Sequence, residues 1–156
     1  MSAIVKTTTA FTNKALLLET LDEMGVGYEL KGNKVVTDRM DYYGHQCFEY
    51  GKNGSFNFQH DSSAEKMNYP WRSINFREWK TVTSFLEAVE VGYKGAYTRM
   101  LERLAEEERL REEERRKQYV ESVRNETIER AKSQGYIVKE TRQDNKIKLV
   151  LSRTTY

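Results

Sequence analysis

The sequence predicts an α+β fold: an antiparallel sheet with helices packed on one face, a helix–hairpin pseudo-repeat, and one long protruding charged helix. Three observations carry the prediction. Short runs rich in β-branched and aromatic residues alternate around turn signals. Two helical stretches each end in a glycine that leads into a tyrosine-bearing strand and a hairpin. Residues 99–118 are mostly charged, a pattern that suits a solvated helix better than a core. The length of 156 residues fits a single α+β domain over 1–156, with 99–118 as an exposed helical extension within it.

The elements follow in chain order. "AIVKTTTAF" reads as a strand, and "TNKALLLETLDEMG" as a helix with Thr12 at its N-cap. Leu17, Leu18, Leu21 and Met24 form its apolar stripe and Gly25 its stop. "VGYELKGNKVVT" alternates around Gly32-Asn33, a hairpin signal. "YYGHQCFEYGKNGSFNFQH" gives two more strands around "KNG", with Phe56 and Phe58 on one face. "DSSAEKMNYPW" is a loop holding the single proline, Pro70, and a helical region begins after it, weakened locally by Gly92 and Gly95.

Between Glu106 and Gln118 only Leu110 is apolar, so this stretch is expected to be a solvated helix held by Glu–Arg pairs three and four apart. A sustained heptad is missing, which argues against a coiled coil, although a partner protein could still read this face. Tyr119, Val120, Val123 and Ile128 resume a stripe. A helix ending "AKSQG" then leads into "YIVKETRQDNKIKLVLSR", as "DEMG" led into "VGYELKGNKVV". The repeat implies that both hairpins join a single antiparallel sheet. In the last strand Ile147, Leu149 and Leu151 are expected to face inward and Lys146, Lys148, Val150 and Ser152 outward.

The C-terminal pattern "AKSQGYIVKE…DNKIKLVLSR" resembles the end of a conserved uncharacterised protein family of cyanobacteria and algal chloroplasts, with bacterial and phage members. "TNKALLLETLDEMGVGYEL" resembles the leading helix and strand of that family, and "GSFNFQHD" its central aromatic strand ending in Asp61. The family's Asp-Gly turn is replaced here by Asp144-Asn145, and its connection near 99–118 is usually shorter. The resemblance implies a fold rather than an activity, and is compatible with a phage or bacterial accessory protein.

Composition narrows the function classes. No apolar run is long enough to span a bilayer, and "MSAIVKTTTAF", with no basic cap before an apolar block, is not expected to be a secretory signal. The single Cys47 leaves no internal disulfide, so a cytoplasmic location is expected. No phosphate loop is present, and no membrane partner or cofactor is expected. His45, Cys47 and His60 offer three soft ligands without a CxxC pair, too few for an expected metal site, and nothing orients them as a Cys–His nucleophile. The carboxylates cluster in the charged helix, where a general acid would be fully solvated, so no catalytic residue is assigned.

Charge distribution is more informative than the net of +2. Residues 1–97 carry 11 basic and 12 acidic side chains, residues 98–134 carry 10 of each, and residues 135–156 carry 5 and 2. The excess lies in the last hairpin, on Lys139, Arg142, Lys146, Lys148 and Arg153. "YPWRSINFREWK" interleaves Tyr69, Trp71 and Trp79 with Arg72, Arg77 and Lys80. Aromatic faces stack on unpaired bases while neighbouring cations neutralise phosphate. The expectation is a non-enzymatic binder of single-stranded nucleic acid, RNA rather than duplex DNA, because duplex binding leans on a broad charge excess. The bland reading makes these aromatics core and the lysines guards of a strand edge. The competing functional reading is a protein-interaction or assembly module acting through residues 99–118 or a sheet edge.

Overall fold

The computed structural model describes residues 3–62, 79, 81–144 and 146–154. Its elements are β1 (Ile4–Thr8), α1 (Lys14–Glu23), β2 (Tyr28–Lys31), β3 (Lys34–Asp41), β4 (Gly44–Tyr50), β5 (Phe56–Asp61), α2 (Val82–Ser133), β6 (Ile137–Gln143) and β7 (Lys146–Ser152). The fold is α+β. The chain divides into two compact units, Met1–Glu102 and Arg103–Tyr156, and α2 contributes to both.

In the first unit five antiparallel strands run in the order β1-β5-β4-β3-β2. Alternation places Val35 on β3, Phe48 on β4 and Phe56 and Phe58 on β5 in the core. Phe48 and Phe58 are register partners with ring centroids 4.6 Å apart. Each side chain buried this way contributes about 1.5–3 kcal/mol. Helix α1 adds Leu17 and Leu21 to the same cluster. Its N-cap is Asn13, not Thr12: the Asn13 side chain accepts from the amides of Ala15 and Leu16, and the Tyr93 hydroxyl accepts from those of Thr12 and Asn13. Leu16 is buried as well, which widens the expected stripe.

Helix α2 starts with a reciprocal cap. Thr81 Oγ1 accepts from the Ser84 amide at 3.1 Å, and Ser84 Oγ accepts from the Thr81 amide at 3.2 Å. Val82, Phe85, Val89 and Ala96 then form a buried stripe at helical spacing. Gly92 lies on that stripe without breaking the helix, because a Cβ there would meet Thr20 Cγ2 at 2.7 Å. The residue that weakens helix propensity is the one that lets α1 and α2 approach. Arg99 bonds Glu19 at 3.0 Å and Glu23 at 2.5 Å on the same pair of helices.

The second unit consists of the later turns of α2 and the β6–β7 hairpin. The expectation of one sheet is corrected here: β6 and β7 form a two-stranded sheet of their own. The pseudo-repeat stops at the helix end. At α1 the Gly25 amide donates to Asp22 O and the Val26 amide to Leu21 O; at α2 Gly135 donates to Lys132 O and Tyr136 to Ala131 O. Both are Schellman caps with a left-handed glycine, φ +69° and +81°. After the first cap the chain enters a five-stranded sheet. After the second, among the described residues, the two strands pair only with each other.

Candidate functional site

The hairpin is positioned by the helix that precedes it. Glu121, Arg124, Ile128 and Ala131 recur at three- and four-residue spacing along α2, and all four are at least half-buried. Val138 and Glu140 on β6, with Ile147 and Leu149 on β7, are the half-buried side chains of the hairpin. Arg124 Nε donates to Glu140 at 2.9 Å, and its Nη2 reaches the same carboxylate. Arg142 joins Glu140 at 2.8 Å and Glu121 at 3.3 Å. These two guanidinium groups hold the Glu140 carboxyl below the usual carboxylate range, and the bonds to Glu140 raise Arg124 in return.

The opposite face of the hairpin is open. Thr141 pairs with Lys148, Gln143 with Lys146, and Lys139 with Val150, so every lysine lies beside a neutral residue. Among the described residues no carboxylate pairs with Lys139, Lys146 or Lys148, and all three are exposed. Ile137 and Val150 share this face and are 63% and 45% exposed. Leu151, whose register partner is the half-buried Val138, stays 45% exposed at the same end of the hairpin.

Tyr69, Trp71, Arg72, Arg77 and Lys80 lie outside the described residues. Trp79 is half-buried against the core of the first unit, its ring 6.3 Å from Phe85, and its carbonyl accepts a bond from the buried Arg39 at 2.8 Å. Of the hairpin cations, Arg142 is engaged with Glu121 and Glu140, and Arg153 lies 5.8 Å over the Tyr136 ring. Lys139, Lys146 and Lys148 remain as one basic face.

The soft-ligand candidates have separate partners. His45 Nδ1 donates to Thr37 O at 2.9 Å, Cys47 Sγ to Gln59 Oε1 at 3.1 Å, and His60 Nε2 lies 2.8 Å from Thr7 Oγ1. Burial pushes the Cys47 thiol up, against the opposing field of Lys34. Among the described residues no group of three or more His, Cys, Asp or Glu is placed to hold a metal. No helix among them is long and apolar enough to cross a membrane.

Residues 101–120 of α2 are exposed throughout. Glu106–Arg109 at 2.7 Å and Glu113–Lys117 at 2.8 Å lace this surface, though such exposed pairs each contribute little. Sequence reasoning missed the anchor of the hairpin. The 121/124/128/131 spacing was its signal, masked because two of the four residues are charged. No protein-family model, curated protein or solved structure matches this chain.

Proposed function

We propose that the chain is a protein-interaction module whose second unit is the docking end. One observation carries this reading. Among the described residues of 103–154 only Ala131 is buried, while Tyr119, Val120, Val123, Ile137, Val150 and Leu151 stay between 42% and 71% exposed. An isolated two-stranded sheet is marginal in water, and a helix on one face adds little when its contacts are half-buried. Contiguous exposed apolar patches rimmed by charge mark interaction surfaces, and Ile137, Val150 and Leu151 lie at one end of the hairpin. A partner that covers them supplies the burial the unit lacks.

Single-stranded RNA is the competing occupant, and the three unpaired lysines favour it. Base stacking needs exposed rings, however, and the described outward face of the hairpin carries none. A photoreactive phenylalanine analogue at Val150, with the same analogue at Lys52 on the first unit as control, separates the two in the cells that make the protein. Covalent adducts to protein at Val150 and not at Lys52 are expected. Adducts to RNA at Val150, or none at all, overturn the reading.

A further inference from the structure

We infer that β7 is an open acceptor edge for an extended acidic segment of a partner protein, which adds to the hairpin as a third strand. This rests on the docking role of the second unit and names what docks there.

The alternation of β7 supplies the argument. Lys146, Lys148 and Val150 point to the open face, and Ile147, Leu149 and Leu151 to the other. An added strand sets its own alternate side chains beside these rows. Carboxylates fit the positions next to Lys146 and Lys148, and apolar side chains fit beside Leu149 and Leu151. The occupant is therefore a segment that alternates acidic and apolar residues. The main-chain bonds of such an addition give affinity, and the side-chain rows give selectivity.

Charge decides against a second copy of the chain. Residues 135–156 carry five basic and two acidic side chains, and Glu140, one of the two, is already held by Arg124 and Arg142. Two such faces repel. Lysines on an open edge reject a like strand and accept an acidic one, so the guard and the recognition element are the same residues. β6, the other edge of the hairpin, places one lysine, Lys139, on the open face against two on β7, and the outer edges of the five-stranded sheet are poorer hosts still. β2 has only four residues, and on β1 the single cation, Lys6, is committed to Glu49 at 2.6 Å. Both also belong to a sheet with a full core, whereas the hairpin gains the burial it lacks.

The test uses the full chain and three fluorescent probes at low and moderate salt: a capped peptide alternating glutamate and valine over the length of β7, the same peptide with lysine for glutamate, and single-stranded oligouridine. The glutamate peptide is expected to bind and to slow amide exchange in β7, and the lysine peptide not to bind. Lys146→Glu with Lys148→Glu is expected to weaken binding by about tenfold or more, and the Lys→Gln pair by less. Circular dichroism of each variant checks that the hairpin and helices persist. No binding of the glutamate peptide at low salt overturns the inference, as does oligouridine binding as tightly. If the peptide fails while Val150 still forms adducts to protein, strand addition alone falls. If both fail, the docking role falls with it.

Discussion

At the scale of single residues, Gly92 and Thr20 form the close fit between α1 and α2. Thr20 is fully buried, and its hydroxyl donates to Leu16 O at 2.7 Å, which fixes the rotamer that aims Cγ2 at Gly92. Gly92→Ala raises helix propensity by about 1 kcal/mol. The added methyl has no space, and overpacking of this kind costs about 1–3 kcal/mol. Chemical denaturation is expected to show a net loss, recovered when Thr20→Ser removes Cγ2 and keeps the hydroxyl. A neutral or stabilising Gly92→Ala contradicts the packing account. Sequence reading saw in Gly92 only a weak point of a helix, because propensity is local and the reason for the glycine lies 72 positions upstream.

At the scale of elements, the attachment of the hairpin has an electrostatic part beside the apolar one. Glu140 is held below its ordinary range by Arg124 and Arg142. A carboxyl lowered in the folded state contributes stability above its unfolded value, and that contribution is lost as pH falls through the folded value. Protection of β6 amides is therefore expected to decline on acidification below about pH 4.3, the ordinary glutamate value, down through the lowered one. Glu140→Gln is expected to reduce protection at neutral pH and remove this part of the acid response. An unchanged acid profile in Glu140→Gln contradicts the role assigned to the pair.

The elements themselves were largely legible. Turn signals and cap glycines are local, so the strands of both hairpins and the end of α1 stand close to where the sequence puts them. The Schellman caps at Gly25 and Gly135 are local too, and the repeat they suggest is real as far as those caps reach. Which strands share a sheet is set by long-range pairing. Nothing in "YIVKETRQDNKIKLVLSR" announces that, among the described residues, its strands pair only with each other. The same limit applies to the aromatic cluster. Trp79 reads identically in sequence whether it stacks on a base or packs against Phe85 and caps the buried Arg39 through its carbonyl.

At the scale of the whole molecule, stability is distributed unevenly between the two units. The first concentrates the fully buried aromatic and aliphatic side chains, and the second holds Ala131 as its one buried residue among those described. Regions with few buried apolar contacts open at low free energy, and binding elements are drawn from that end of the range. A partner that binds only the closed hairpin stabilises it by mass action. On the proposed reading, the docking role and the thin core are one property seen twice.

Hydrogen exchange on the full chain, free and with the alternating glutamate–valine peptide, tests that claim most directly. Fast exchange of β6 and β7 in the free chain is expected against slow exchange of β3, β4 and β5, with slowing confined to β6, β7 and the adjoining turns of α2 when the peptide is added. A hairpin as protected as the central strands before any peptide is present, or a peptide that slows exchange elsewhere and leaves β7 unchanged, contradicts it.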